Sequence, residues 1–242
     1  MMLRLRDFWR AMVIGVVGVA ASNYFYYLAI QKTNVATAII LQYTAPVWVL
    51  LYMVARRLQR ATAQRVIAIA VALLGIALVI DIFGGGLRLN HVGVLAALAA
   101  SVSFACYNVF GGALVQQHDR WKALTYVLLG AVVFWLILNP PWRIVEAHYS
   151  GRQWAFLFVF ALASVLLPFS LYFSGLHHLD PTRAIVTSCL EPVFSIAIAA
   201  IALGEIVGPV QIVGMALVLA ATLLVQMPDR SGQRAVVVEP ME

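Results

Sequence analysis

Glu191 is the one charged residue that lies well inside a long apolar run of this sequence. An ionised side chain at the centre of a membrane helix costs on the order of 2.5–3.5 kcal/mol, so we expect it to face protein or water. A carboxyl at this depth can take up and release a proton, or bind a cationic or zwitterionic ligand. A structural hydrogen bond to another helix is the alternative, and it stays open.

Pro192 directly follows Glu191, and Pro46 lies in a similar apolar run of the first half. Proline removes a backbone donor and frees a carbonyl one turn earlier. We therefore predict a helix break or hinge at each proline, with opened backbone beside Glu191.

A second group of candidates is aromatic or polar and lies at matching depths in the apolar runs. Such side chains can line a cavity, because they offer stacking surfaces and a few directional hydrogen bonds. Besides Glu191, the residues expected to bind a substrate are Tyr26, Gln42, Tyr107, Asn108, Tyr172 and Ser188, and the wider set includes Tyr43. Alternatively, the aromatic residues mark the membrane interface, as Trp9, Trp121, Trp142 and Trp154 are expected to do.

Two adjacent histidines, His177 and His178, lie next to Asp180 and could indicate a metal site. Neighbouring side chains on a helix point about 100° apart and do not readily chelate one ion. A helix boundary fits better, with Asp180 as the cap and Pro181 as the first helical residue. Gly84-Gly85-Gly86 lacks the Lys and Ser/Thr of a phosphate-binding loop. We expect no metal and no other cofactor.

The segments that must position these residues are long and apolar. Hydrophobic residues make up 63% of the 242 positions and charged residues 11%, whereas soluble domains have about 45–50% and about 25%. Eight apolar runs are long enough to cross a bilayer as helices: 11–30, 34–55, 66–83, 92–115, 121–139, 153–176, 184–203 and 208–227. The predicted fold is an all-α polytopic membrane protein with eight transmembrane helices.

The basic residues divide unevenly between the two sides of this topology. The termini and the even-numbered loops hold most of them, and only Lys32, Arg88, Arg143 and Arg152 fall on the other side. This asymmetry predicts that both termini are cytoplasmic, in the inner (plasma) membrane of a bacterial-type cell. The positive charge is thus a topology signal, and we expect no nucleic-acid partner.

Residues 5–81 align without a gap on residues 151–227 when the sequence is shifted by 146 positions. Tyr26 then falls on Tyr172, Pro46-Val47 on Pro192-Val193, and Gln59 on Glu205. Corresponding helices are separated by an odd number of crossings, which predicts an inverted repeat with a site between its halves. The predicted domains are a first repeat of three helices, 1–83, a linker, 84–91, a second repeat of five helices, 92–227, and a cytoplasmic tail, 228–242.

Several short motifs recur in order along nearly the whole chain. In the first half they are Tyr26-Tyr27-Leu28-Ala29-Ile30, Thr37-Ala38 and Pro46-Val47; in the second they are Leu190-Glu191-Pro192-Val193-Phe194, Leu203-Gly204-Glu205 and Gln211-Ile212-Val213-Gly214. With these motifs the sequence resembles the EamA-type transporters of the drug/metabolite transporter superfamily. The resemblance implies ten helices in two inverted repeats of five, of which this chain has the third to the tenth and lacks the first two. Gln59, beside Arg57 and Arg60, departs from a family pattern that often has Gly-Glu there.

The resemblance implies secondary transport of small metabolites or drugs. We expect an exporter that works by alternating access between the two repeats. Transport would be coupled to protons if Glu191 takes up and releases a proton in each cycle. The expected partners are a small-molecule substrate and the lipid bilayer, and pairing of two copies as a homodimer is left open. One alternative is a truncated, inactive or accessory subunit that needs a partner. Another, an intramembrane enzyme, is disfavoured because the sequence has no HExxH or GxSxG motif.

Overall fold

The computed structural model describes residues 5–81, 90–146, 148–204 and 206–228, and every regular element in these ranges is a helix. Most of the predicted linker and of the predicted tail, including Gly84-Gly85-Gly86, lies outside the described residues. So do Arg4, Arg88, Glu205, Arg230 and Arg234.

Seven helices in these ranges have 18 or more residues and are apolar enough to cross a membrane. They are Leu5–Lys32, Val35–Ala55, His91–Gln117, Arg120–Leu138, Gly151–His178, Pro181–Leu203 and Pro209–Gln226. An eighth apolar helix, Ala63–Val79, has 17 residues, the lower end of the length that a span needs. The chain is therefore an all-α polytopic membrane protein, and each predicted apolar run overlaps one of these helices. A short helix, Pro141–Glu146, precedes Gly151–His178.

Polar caps fix the first residue of several helices. The Asn34 side chain accepts a hydrogen bond from the Thr37 N–H at 2.8 Å. Asp180 accepts from the Thr182 and Arg183 N–H groups, both at 3.1 Å. The predicted cap at Asp180, with Pro181 as the first helical residue, is confirmed.

Helix starts recur along the chain at the spacing of the predicted repeat. Adding 146 to the bounds of Ala21–Lys32 and Val35–Gln42 gives the bounds of Leu167–His178 and Pro181–Ser188. A stretch of π-helix, Ile14–Ala20, directly precedes Ala21–Lys32, and another, Leu162–Leu166, directly precedes Leu167–His178. The same spacing therefore relates local backbone geometry as well as residue types.

The chain forms two compact units, and each takes residues from both predicted repeats. The first unit contains the described part of Met1–Ala21 together with Cys106–Leu179, and the second contains Ser22–Ala105 together with the described residues from Asp180 onward. The domain boundaries drawn from the sequence concern its internal similarity, and they stay a prediction.

In the first unit, the start of Leu5–Lys32 packs closely on Arg120–Leu138. A Cβ atom at Gly15 would overlap the Val127 backbone, and one at Gly130 would overlap the Met12 backbone. Glycines at such positions let two membrane helices approach to backbone contact.

In the second unit, Ala63–Val79 lies along Pro209–Gln226. A Cβ atom at Gly214 would lie 2.6 Å from the Val79 nitrogen and 2.7 Å from the Gly75 carbonyl oxygen. Side-chain amides tie the two helices at both ends, because Gln64 donates to the Leu224 carbonyl at 2.7 Å and Gln211 to the Val79 carbonyl at 3.2 Å. Both helices contribute buried residues to the hydrophobic core of the second unit.

Candidate functional site

Two membrane helices of the second unit are interrupted part-way along their length. The first broken helix consists of Val35–Gln42 and Ala45–Ala55, and the second broken helix consists of Pro181–Ser188 and Glu191–Leu203. At each interruption a backbone N–H donates to the carbonyl three residues earlier instead of the one four residues earlier. The Thr44 N–H donates to the Leu41 carbonyl at 3.2 Å, and the Leu190 N–H to the Thr187 carbonyl at 3.0 Å.

A proline is the second residue after each interruption, Pro46 in one helix and Pro192 in the other. Because proline has no N–H, the carbonyl four residues earlier loses its helical donor. These carbonyls belong to Gln42 and Ser188, which are two of the predicted site residues. The structure thus places Gln42 and Ser188 at the ends of the helical segments that the prolines terminate; a hinge motion there stays a prediction.

The two interruptions are joined by one hydrogen bond. Tyr43, in the turn of the first broken helix, donates its hydroxyl to Glu191 Oε2 at 2.9 Å. Glu191 is the first residue of the second segment of its own helix, where the unpaired N–H groups favour a negative charge. Its side chain is exposed, whereas Tyr43 is only 8% exposed. The carboxylate is therefore held by the protein and open to a ligand.

The ring of Tyr43 belongs to the hydrophobic core of the second unit. This core brings together both broken helices, Ala63–Val79 and Pro209–Gln226, and its buried members around the turn of the second broken helix are Val186, Cys189 and Val193. A ring packed in this way has little freedom to turn, so its hydroxyl is presented at a fixed point.

Tyr26 lies close enough to Glu191 and Tyr43 to interact with both electrostatically. Its ring is half-buried and lies 5.9 Å from the ring of Tyr27, centroid to centroid. We call Tyr26, Tyr43 and Glu191 the tyrosine–glutamate cluster. A carboxylate beside aromatic faces can bind a cation through charge and through cation–π attraction.

The turn of the first broken helix is attached to one further element. Thr44 Oγ1 lies 2.8 Å from Ser101 Oγ on His91–Gln117, and it also donates to the Leu41 carbonyl at 2.6 Å. Ser101 is fully buried. The two residues of this turn therefore contact different partners, Tyr43 the second broken helix and Thr44 the helix His91–Gln117.

Three other predicted site residues come together in the first unit. Tyr107 and Tyr172 stack with ring centroids 5.3 Å apart and an angle of 26° between planes, and Asn108 Nδ2 donates to the Tyr172 hydroxyl. Asn108 is fully buried, and its Oδ1 has no hydrogen-bond partner among the described residues. The predicted residues thus form two groups, one in each unit.

A polar group closes one end of the second unit. Gln59 donates its amide to Asp180 Oδ1 at 3.1 Å and accepts from the Thr182 hydroxyl at 2.7 Å. Asp180 also contacts the Arg183 guanidinium, with Oδ2 at 3.3 Å from Nε. Gln59, the residue that departs from the family pattern, therefore joins the loop after the first broken helix to the start of the second.

The two adjacent histidines make an edge-to-face ring contact, with centroids 5.0 Å apart. Their rings are nearly perpendicular, at 83°, and His177 Nδ1 lies 3.1 Å from the Val115 carbonyl oxygen. Within the described ranges, no three His, Cys, Asp or Glu residues are grouped so that they could hold a metal ion.

Comparison with known protein families identifies this architecture. The model of the EamA-like transporter family matches residues 2–81 and 91–227, which is most of the chain. The chain belongs to the EamA-like transporter family. It is therefore a multi-pass membrane protein of a transporter family, as the resemblance of its motifs implied.

Curated relatives in this family are similar over most of the chain. The "Uncharacterized inner membrane transporter YicL" of Salmonella typhimurium is 25% identical over 235 residues, which cover 95% of this chain and 77% of that protein. The "Threonine/homoserine exporter RhtA" of the same species is 28% identical over 208 residues, covering 83% of this chain and 65% of that protein. An "Uncharacterized transporter" of Archaeoglobus fulgidus is 26% identical, covering 86% of this chain and 75% of that protein.

A solved crystal structure shares the fold. It has a TM-score of 0.74 and 20% sequence identity, and the match covers 90% of this chain and 76% of the other. At this identity the likeness concerns the fold alone.

In this EamA-like chain, the hydrogen-bond partner of Glu191 is a residue that was not among those expected to bind a substrate. Tyr43 was only a member of the wider aromatic set, yet it makes the hydrogen bond to the carboxylate. The repeat carried the relevant signal, because at a spacing of 146 Tyr43 corresponds to Cys189 and Ala45 to Glu191. The residues that precede Pro46 and Pro192 occupy equivalent positions in the two repeats, which makes them candidates for contact with each other.

Proposed function

We propose that this chain is a secondary transporter that exports small metabolites or drugs across the inner membrane, and that it is not an enzyme. The supporting observation is the Glu191 carboxylate at the interruption of one helix, hydrogen-bonded to Tyr43 at the interruption of another. Interrupted helices supply free backbone groups and helix ends within the membrane, which is how many transporters bind substrates and coupling ions.

The tyrosine–glutamate cluster favours a substrate that carries an ammonium group. Glu191 supplies the opposite charge, and the half-buried ring of Tyr26 supplies an aromatic face close to it. The relative RhtA is a threonine/homoserine exporter, which makes a small amino acid the first candidate substrate for this chain.

We infer that the energy comes from a proton gradient. Glu191 is an exposed carboxyl at the start of a helical segment within an apolar span, so it can exchange a proton with water that enters the site. Binding of the proton and of the ammonium group would then exclude each other, because both need the same carboxylate. Exclusion of this kind links the export of one to the import of the other when access to Glu191 alternates between the two sides.

The proposed orientation has both termini in the cytoplasm. It rests on the excess of Arg and Lys in the terminal segments and the even-numbered loops. Fusion of a phosphatase or a fluorescent protein to residue 242 tests it: fluorescence without phosphatase activity is expected, and the reverse would contradict the orientation.

A second candidate function, a subunit that needs further helices, is favoured by one exposed segment. All residues from 151 to 168 are exposed, whereas the corresponding segment 5–22 buries Ala11, Gly15, Gly18, Val19, Ala20 and Ser22. A chain that is active only when apolar helices of another chain cover residues 151–168 would show no flux after purification alone and flux when the partner is present.

The decisive experiment measures flux in proteoliposomes that contain the purified chain. The panel contains labelled L-threonine, L-homoserine and a lipophilic organic cation, each with and without a pH gradient. The variants are the wild type, Glu191→Gln and a control, Glu146→Gln, whose carboxyl is exposed on the short helix Pro141–Glu146. We expect gradient-driven flux in the wild type and the control and none with Glu191→Gln. Equal flux in all three would refute the role of Glu191.

A further inference from the structure

Tyr43 forms the only hydrogen bond that joins the two interruptions in the part of the chain that the structure describes. A carboxylate that accepts from a hydroxyl gains a charge-assisted bond, which is about twice as strong as a neutral one. Any ligand that neutralises Glu191 weakens this bond. A change in the charge of Glu191 therefore alters the strength of the hydrogen bond that holds the turn of the first broken helix.

Tyr43 lies in the turn of the first broken helix, so its contact with Glu191 acts at the interruption of that helix. Tyr43 and Thr44 are the turn that separates Val35–Gln42 from Ala45–Ala55. The ring is fixed in the core beside Val186, Cys189 and Val193, and Thr44 is fixed to Ser101 on His91–Gln117. Only the hydroxyl end of Tyr43 meets a group that changes its charge when a ligand binds.

The environment of the carboxylate includes few other ionisable groups. Tyr26, Tyr43 and Cys189 interact with Glu191 electrostatically, and all three are neutral in their ordinary state. Tyr43 is the member of this set that also donates a hydrogen bond to Glu191 Oε2. It is thus the residue best placed to hold the carboxylate in one orientation while the site is empty.

We propose that Tyr43 is a positioning residue that holds the empty Glu191 carboxylate and, when a proton or an ammonium group displaces its hydroxyl, releases the first broken helix to move. This inference rests on the proposed function, since it assigns the coupling step of the same site. It predicts that loss of the hydroxyl lets the first broken helix move without a ligand, so that coupling to the gradient is lost while binding changes little.

The first test needs no substrate. Dicyclohexylcarbodiimide reacts with carboxyl groups in apolar surroundings, and mass spectrometry of the purified full chain gives the rate of modification at Glu191. We expect Tyr43→Phe to raise this rate about tenfold, the size of a lost hydrogen bond to a charged group. The matched control is Tyr52→Phe, which removes a hydroxyl from the same broken helix and is expected to react at the wild-type rate. Equal rates in Tyr43→Phe and wild type would overturn the proposal.

The second test separates binding from movement. With labelled L-threonine, or whichever member of the panel is transported, Tyr43→Phe is expected to change KM less than threefold and to lower gradient-driven accumulation about tenfold, because the helix then moves without its ligand. Glu191→Asp keeps the charge but shortens the side chain by one methylene, so it is expected to produce the same split. A change in KM alone would assign Tyr43 to substrate binding and would overturn the positioning role.

A double variant excludes a merely structural effect. If Tyr43 acts through Glu191, then the midpoint of thermal unfolding of the double variant Tyr43→Phe with Glu191→Gln is no lower than that of Glu191→Gln alone, so the two effects are not additive. Additive effects would contradict the proposal. Should no substrate be transported, the proposed function fails, whereas the carbodiimide result still decides whether Tyr43 holds Glu191.

Discussion

Replacing Gly214 by alanine is expected to force apart the helices Ala63–Val79 and Pro209–Gln226. The added Cβ atom would lie 2.6 Å from the Val79 nitrogen and 2.7 Å from the Gly75 carbonyl oxygen, whereas ordinary contact begins at 3.4 Å. Both neighbours are backbone atoms, so no side-chain rotation can relieve the overlap. The helices must therefore separate locally by about 0.8 Å, the difference between 3.4 and 2.6 Å.

The energetic cost follows from this separation. Overpacking of a well-packed core costs about 1–3 kcal/mol, and a gap of this size forfeits about a quarter to a half of each dispersion contact along the interface. For a chain of this length, a loss of about 2 kcal/mol lowers the midpoint of thermal unfolding by about 4–8 °C.

The measurement is the unfolding midpoint of detergent-purified protein, followed by size-exclusion chromatography after heating. Gly175→Ala is the matched control, since a Cβ at Gly175 would meet no atom within 4 Å and the residue lies inside a helix. This control is expected to keep or slightly raise the midpoint, because alanine favours the helix over glycine. A Gly214→Ala protein as stable as the control would refute the close packing on which this reasoning depends.

Three further changes test other parts of the structure. Asp180→Ala removes the acceptor of two backbone N–H groups at the start of the second broken helix and is expected to cost about 1 kcal/mol in thermal stability; an unchanged midpoint would contradict the cap. Gln59→Glu places a second carboxylate where an amide now donates to Asp180 at 3.1 Å, so the midpoint should fall by several degrees at neutral pH and recover when the buffer is acidified; a pH-independent effect would show that repulsion is not the cause. Pro192→Ala returns a donor to the Ser188 carbonyl, so hydrogen exchange at the interruption should slow and transport should drop. The control Pro209→Ala, at the first residue of its helix, should leave both unchanged. Faster transport by Pro192→Ala would contradict a hinge at Pro192.

The membrane helices were predictable because a bilayer leaves the backbone little choice. Each long apolar run has to satisfy its own N–H and C=O groups, so run length and helix existence are tied together. Asp180-Pro181 was predictable for a local reason, since capping depends on residues within three positions of each other.

Other features depend on contacts distant in sequence. The bond from Tyr43 to Glu191 joins residues 148 positions apart, and apolar periodicity contains no information on which polar residue meets which. The stretches of π-helix at Ile14–Ala20 and Leu162–Leu166 were likewise not predicted, because a change of hydrogen-bond register reflects packing more than residue propensity.

The predicted site residues lie in two separate groups, and their role in binding stays a prediction. Tyr26 and Glu191 lie within electrostatic reach of each other, and Tyr107, Asn108 and Tyr172 contact one another in the first unit. Depth along the apolar runs indicated which residues lie at similar heights, whereas their grouping depends on which helices pack together.

The most direct test of the central claim is flux driven by a pH gradient in proteoliposomes, compared between the wild type, Glu191→Gln and Glu146→Gln. We predict transport in the wild type and in Glu146→Gln that collapses when the gradient is removed, and none with Glu191→Gln although the protein remains folded. Undiminished gradient-driven transport by Glu191→Gln would contradict the account.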